Sequence, residues 1–444
     1  MTVCSDGQRK SPSTGVAHAT VMTGLELNPC LVTATAPSSV AVEASHAPGC
    51  ADATCGGMTG QNVVCFAKDW EEDPTSNNHI MRLLARENQV LWINSIATRT
   101  PSLRSGRDLG KIWRKLTSFF RGPEHVADGL WVYTPVVLPF PHSRQATLIN
   151  RWILRVSVGL IRRRLGMGDF QLWVFIPTAA RYVGVLGESM LVYYVTDEYS
   201  QFKGVDDSGV AEDDRKLCKQ ADIIFATAKP LAEKRCQCNP ETHLSRHGVD
   251  HALFSAALSD ATRIPDDLAA LPRPVLGFYG ALRDWIDYDL IEYLARRHKD
   301  WSIALIGEPL VDLTRFRDVP NVHLLGRKPH RDLPACCKGI SVGLIPHKVN
   351  QLTLHMNPIK LREYLCAGLP VVSVRLPEVE NYVPHCLIAD DYEQFERAVE
   401  AAIRNDSPAA RRQRSDAMRP ETWERVVSEI GSHVMRVKQK ARQG

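Results

Sequence analysis

The sequence predicts an α/β fold of two Rossmann-like, parallel-sheet domains facing each other across a cleft. Three observations carry this. Short apolar runs alternate with amphipathic helical patterns in both halves of the chain, the composition changes near residue 250 and the series restarts, and a polar helix-opening segment, His355 to Val372, ends on a β-branched run. Buried runs alternating with helices point to parallel sheets covered on both faces. At 444 residues, 44% hydrophobic and 23% charged, the chain has material for two cores of ordinary size.

Residues 1–60 are rich in Ala, Ser, Thr, Gly and Pro, carry few charges and show no sustained period, which predicts a disordered tail. The run Leu31 to Val42 is broken by Thr, Pro and Ser and does not read as a secretory signal. No stretch reaches the roughly 18 apolar residues of a membrane span. Twelve cysteines form no paired framework: Cys236 and Cys238 are too close for C-x-x-C, and Cys336 and Cys337 are adjacent. Such usage suits the reduced thiols of a cytoplasmic protein rather than disulfides or zinc. The net charge of +4 is mild and its Lys and Arg are dispersed, which argues against a nucleic-acid partner.

Residues 61–255 read as the first domain. Asn62 to Ala67 and Gln89 to Asn94 are strands flanking a helix over Ser76 to Glu87, with Ile80, Leu83 and Leu84 inward. Further strands are expected at 130–137, 170–176, 190–195 and 222–227. Two stretches are basic and apolar together. Residues 104–121 carry Arg104, Arg107, Lys111, Arg114, Lys115 and Arg121 among Trp113, Phe119 and Phe120, and residues 151–164 are similar. Each either packs on the sheet with its cations solvated or lies on an anionic membrane surface. Asp197 follows the 190–195 run and puts a carboxylate where a strand meets the cleft, with helix capping as the alternative. His79 reads as a packed or solvated histidine.

After the turn His247-Gly-Val-Asp250, the Ala-, Asp- and Pro-rich residues 256–273 read as a linker, 274–420 as the second domain and 421–444 as a last helix with a basic tail. Strands are expected from Pro274 to Tyr279, ending in Gly280, and from Trp301 to Ile306, closed by Gly307, then at 322–325, 340–345 and 370–374. Helices are expected over Asp287 to Arg297 and Asp391 to Arg404. In the His355 segment, Asn357 suits an N-cap, Pro358 the first helical position, and Gly368 with Pro370 a stop. Lys360 and Glu363 then share the opening turns, where free N–H groups favour a phosphate, Lys360 adds charge and Glu363 can accept from sugar hydroxyls. Taken alone, the segment equally suits a surface Lys–Glu pair contributing ~0.3 kcal/mol. In open parallel sheets, ligands sit beyond the carboxyl ends of the strands. There, loops with Gly280, Gly307 and Arg327-Lys328 would gather around the Lys360 helix.

The order strand-Gly280, strand-Gly307, Leu325-Gly326-Arg327, Asp332-Leu333-Pro334, then Asn357-Pro358-x-Lys360-x-x-Glu363-Tyr-x-x-Ala367-Gly368-x-Pro-Val-Val resembles the donor half of GT-B glycosyltransferases. It is most similar to family 4 retaining enzymes and the related teichuronic-acid-type polysaccharide transferases, over residues 62–405 and most strongly after 274. The resemblance implies transfer of a sugar, with retention, from a UDP- or GDP-linked donor to a lipid-linked or polysaccharide acceptor. No metal or other cofactor is implied, and the setting would be the cytoplasm or the inner face of a membrane. It implies a donor site of Gly280, Arg283, Gly307, Lys328, His355, Asn357, Lys360 and Glu363. Asp197 is expected to contact sugar or acceptor, and Arg283 and Lys360 to hold the departing diphosphate. The sequence departs from the family in two places. The first member of the E-x7-E pair is His355 here, and the loop after Gly280 keeps Arg283 but lacks the usual lysine, whose role Lys360 would take. Two other readings are a sugar-nucleotide 2-epimerase-like enzyme and a catalytically degraded relative that serves as a binding module in a polysaccharide assembly complex.

Overall fold

The computed structural model describes residues 55–96, 122–140, 143–199 and 207–443. The basic stretch 104–121 and all but the end of the tail 1–60 lie outside the described residues. In the first half, eight strands form one sheet: β1 (Asn62–Phe66), β2 (Gln89–Ile93), β3 (Glu124–Ala127), β4 (Leu130–Tyr133), β5 (Gln171–Val174), β6 (Met190–Val195), β7 (Ile223–Ala226) and β8 (Thr242–Leu244). Their order is β3-β4-β2-β1-β5-β6-β7-β8. Every pairing is parallel except β3 with β4. That exception adds an antiparallel edge strand to the expected parallel sheet. Asp128 and Gly129, with Gly129 at φ +69°, make a two-residue hairpin loop that adds β3 ahead of the strand expected over 130–137, which itself shortens to β4.

The second half builds β9 (Val275–Tyr279), β10 (Ser302–Ile306), β11 (Val322–Leu324), β12 (Val342–Ile345), β13 (Val371–Val374) and β14 (Cys386–Ala389). Their order is β11-β10-β9-β12-β13-β14, all parallel. The chain steps outward from β9 and then outward again from β12, so the topological switch point lies between those two strands. A crevice for a ligand belongs there.

Successive strand residues feed opposite faces, and each sheet is covered twice. On one face of the first sheet, Val64, Leu91, Leu172 and Tyr193 meet Leu154, Val158 and Ile161 of the helix Arg144–Arg164. On the other, Cys65, Trp92, Trp173 and Phe225 meet Ile80 and Leu84 of the helix Ser76–Ala85. The same core takes in Trp423, Val427, Ile430 and Val434 of the helix Trp423–Gln443, which therefore crosses back onto the first sheet. In the second domain, Leu361, Tyr364 and Leu365 of the helix Ile359–Cys366 face inward, as their spacing predicts.

The stretch expected as a linker is built into the second domain. Val249, Phe254, Ala257 and Leu268 all belong to its core, and residues 256–273 contain the short helical turns Ala256–Leu258 and Asp266–Ala269. The polypeptide passes between the halves twice, side by side. At that crossing the Val249 N–H donates to the Glu421 carbonyl at 2.8 Å, and Gly248 lies so near the backbone of Trp423 that a Cβ would come within 2.6 Å of its nitrogen. Among the described residues, no helix is long and apolar enough to cross a membrane, and the nine cysteines are free thiols.

Candidate active site

The ends of β9 and β10 open the crevice. Gly280 follows β9 at φ +122° and donates its N–H to the Ile306 carbonyl at 2.8 Å. A Cβ on Gly307 would fall 1.9 Å from the Gly280 carbonyl oxygen, so the two strand ends touch backbone to backbone. The loop continues pairing on both sides: Leu282 N–H to Glu308 O at 3.0 Å, and Asp287 N–H to Pro346 O at 2.7 Å. Lys360 lies over this turn. A Cβ on Gly280 would meet its Cε at 2.4 Å, and its Nζ sits 5.5 Å from the centre of the Phe278 ring. Glycine at 280 is thus what lets a cation lie against the end of β9.

Helix Ile359–Cys366 begins one residue later than expected. Pro358 occupies the N-cap position, which has no side-chain cap, and Asn357 does not act as the cap. The Asn357 amide instead donates to the Thr227 carbonyl of the first domain at 2.6 Å and accepts from Arg362 Nη1 at 2.8 Å. Local preference suggested a cap, but the approach of the first domain offers a buried carbonyl that needs a donor. The opening turn has no side-chain cap, so the backbone N–H groups at the helix start lack that partner.

Glu363 is buried. Its Oε2 accepts from the Tyr279 hydroxyl at 2.9 Å, and its Oε1 faces His330 Nε2 at a longer 3.4 Å. Burial, then the nearby Glu363 charge, holds the Tyr279 hydroxyl well above its usual range. His330 continues toward the first domain, its ring centre 5.8 Å from that of His79. His79 stacks on Trp423 at 4.9 Å with the rings nearly parallel. Burial, reinforced by His330, pushes His79 down to about 4, against the pull of Glu363 and Asp250. His79 is therefore a packed, neutral interdomain residue.

Asp197 enters from the other side of the crevice, just past β6. It is half-buried, and burial raises its carboxyl, opposed by a hydrogen bond from Thr196 and by the Lys360 charge. Burial lowers Lys360, opposed by Glu363 and Asp197. Each partner thus feels the other, and the closed cleft brings an acid from one domain and a base from the other into one field.

The remaining expected residues lie less centrally. Arg283 is exposed in the loop after Gly280, its guanidinium 5.2 Å from the Trp285 ring. Lys328 is engaged by Asp267 within its own domain, and its neighbour Arg327 reaches the first domain at Asp73, 2.6 Å away. His355 Nδ1 lies 2.6 Å from the Gln351 carbonyl, at the end of the one-turn helix Gln351–Leu354. Among the described residues, one group is spaced to hold a metal ion: His298, Glu396 and Glu400. Its Glu396 is already bound by Arg297, His298 and Tyr293.

Sequence reasoning missed Tyr279 and His330 around Glu363, and it missed Glu378. The Glu378 carboxylate, buried in the second domain, accepts from Lys229 N–H at 2.6 Å and from Arg246 Nε at 2.7 Å. It thereby caps the first-domain helix Lys229–Cys236, whose own N-cap Ala228 has no capping side chain. Only the position of Tyr279 directly before Gly280 could have signalled any of these.

Residues 273–405 match the family described as Glycosyl transferases group 1. A teichuronic acid biosynthesis glycosyltransferase of Bacillus subtilis, TuaH, is 26% identical over 230 residues, 48% of this chain. The match spans 57% of that relative's length. Among solved structures, sucrose-phosphate synthase from Thermosynechococcus elongatus superposes over 86% of this chain and 100% of its own, with a TM-score of 0.62 and 13% identity. The alpha,alpha-trehalose 6-phosphate synthase of Burkholderia multivorans does so over 86% and 100%, at 0.60 and 14%. HepE of Anabaena, solved in complex with UDP and glucose, does so over 86% and 98%, at 0.53 and 14%. The chain therefore has a GT-B fold, and residues 273–405 resemble the glycosyl transferases group 1 family.

Proposed function

We propose that this chain transfers a sugar from a nucleoside-diphosphate donor, UDP- or GDP-linked, to a hydroxyl of a lipid-linked or polysaccharide acceptor, with retention at the anomeric carbon. The observation that carries this reading is the placing of Lys360 across Gly280, with Glu363 three residues on, at the switch point of the second sheet. A diphosphate laid on that turn would meet the free N–H groups of the helix start, the Lys360 ammonium and, from the loop, Arg283. Glu363 would take the ribose hydroxyls by giving up its long contact to His330, while Tyr279 keeps the other carboxylate oxygen in place. The HepE structure holds UDP and glucose, and TuaH is described in teichuronic acid biosynthesis; both support this donor and acceptor class for this chain.

The transferred sugar then lies between the two domains, with Asp197 against the incoming hydroxyl. In a same-face transfer, the bond from the anomeric carbon to the phosphate oxygen breaks as the bond to the acceptor oxygen forms. The acceptor's proton passes to the departing phosphate. Lys360, Arg283 and the helix N–H groups neutralise the growing phosphate charge, so the step needs no metal. The reaction would run on the cytoplasmic side of a membrane.

Calorimetric titration of UDP, GDP, ADP and their common sugar conjugates tests this. One nucleoside diphosphate is expected to bind and to weaken at least tenfold, about 1.4 kcal/mol, in Glu363→Gln with an unchanged melting temperature. Absence of nucleotide binding to the wild-type protein would overturn the reading.

A further inference from the structure

The helix Arg144–Arg164 buries Ala146, Asn150, Leu154, Val158 and Ile161 against the first sheet. Its opposite face is apolar as well. Leu148, Trp152, Val156 and Leu160 recur every fourth residue and so form one row, exposed by 63%, 67%, 41% and 50%. Ile149 beside them is 48% exposed. Twelve residues of helix make this row about 18 Å long. Soluble surfaces scatter large apolar side chains singly, and a continuous row marks a place of contact.

The charges around the row indicate what it contacts. Arg144, Arg151, Arg155, Arg163 and Arg164 are all exposed, and the helix contains no Asp or Glu. Arg162 differs. It donates to the Leu186 carbonyl at 3.2 Å, and its guanidinium lies 3.6 Å from the Phe170 ring centre. A second copy seated on this face by twofold symmetry would set arginines against arginines. An anionic lipid surface matches both features: the row enters the acyl boundary, Trp152 sits at headgroup level, and the arginines reach lipid phosphates.

We infer that the Arg144–Arg164 helix docks the first domain in the plane of an anionic membrane, with Leu148, Trp152, Val156 and Leu160 inserted and the five exposed arginines on the headgroups. This deepens the proposed function by supplying the surface on which a lipid-linked acceptor would be met, but it rests on the helix and not on the donor crevice.

Sedimentation of the full-length protein with vesicles tests it. The protein should bind phosphatidylcholine vesicles containing about a third phosphatidylglycerol and not phosphatidylcholine alone, and should be released as salt approaches ~0.5 M. The triple variants Leu148→Ser/Trp152→Ser/Leu160→Ser and Arg151→Gln/Arg155→Gln/Arg163→Gln should each bind at least tenfold less. All six positions are exposed, so both should melt like wild type. Failure to bind anionic vesicles, or undiminished binding of the apolar variant, would overturn the inference. So would a dimer in light scattering that the apolar variant abolishes. Nucleotide titration of the same proteins reads the donor site separately, since it needs no vesicle.

Discussion

Two helices of this molecule invert the usual distribution of side chains in opposite ways. The Ile359–Cys366 helix buries charge: Arg362 and Glu363 are both enclosed. The Arg144–Arg164 helix exposes a tryptophan and a row of aliphatics. In the first, both enclosed charges have partners within the chain, although the buried Arg362 Nη2 is left without a hydrogen bond. Arg362 donates to Glu421 at 2.9 Å and to Asn357, and its guanidinium lies 4.9 Å from the Tyr382 ring; Glu363 has Tyr279 and His330. Desolvating a charge costs several kcal/mol unless partners are in place, so such a cluster specifies one docked arrangement of the two domains. In the second helix, nothing among the described residues covers the apolar row. The short helix is where the proposed donor would bind, and the long one carries the proposed membrane-docking face.

Breaking the buried side of the comparison should have the largest effect. Arg362→Ala would empty a fully buried site and leave the Asn357 carbonyl without its donor, with Glu421 keeping the Tyr382 hydroxyl, and is expected to cost about 2–4 kcal/mol in denaturant unfolding. A loss under about 1 kcal/mol would show that the domains dock by apolar contact alone. Next comes Gly307→Ala, whose Cβ would fall 1.9 Å from the Gly280 oxygen. The strand ends must part, with an expected loss of about 1–3 kcal/mol and a weaker nucleotide affinity on titration. Unchanged affinity would mean that the Gly280 turn does not seat the phosphates.

Acid should loosen the same junction. Burial lowers His79 to about 4 and, reinforced by Arg362 and His79, His247 to about 3, whereas both would titrate near 6.5 when exposed. Between about 6.5 and 4, the unfolded chain takes up protons that the folded one refuses. Stability therefore falls as pH drops through that window and levels off below both values. His79→Asn should flatten the melting-temperature profile there, and an identical slope would remove His79 from the account. The smallest effect is the sharpest for the contrast. Trp152→Ser should change unfolding free energy by no more than about 0.5 kcal/mol. A larger loss would mean that the row packs on the chain itself.

The fold was readable because its signals are local. Apolar runs of four to six residues marked most strands, and Asp287, expected as the start of its helix, is its N-cap, accepting from Asp289 and Leu290 N–H at 3.1 Å each. The edge hairpin escaped because β3 is mostly exposed and has no apolar period to show. In the crevice, the sequence singled out Gly280, Gly307, Lys360 and Glu363, and the structure brings them together at strand ends and a helix start. It could not find Tyr279 and His330, which reach Glu363 from 84 and 33 residues away.

The sequence by itself determined the two sheets, their covering helices and the helix start that a phosphate would favour, since period, caps and turn residues act within a few residues of chain. Only the tertiary structure decided that Asn357 bridges to Thr227 rather than capping its helix, that Glu378 caps a helix of the other domain, and that the apolar row of Arg144–Arg164 faces outward. A polar group takes whichever partner reaches it first in a buried place, and a doubly apolar helix can bury only the face that meets the sheet. Both outcomes depend on which distant segments arrive alongside, a fact no local pattern contains.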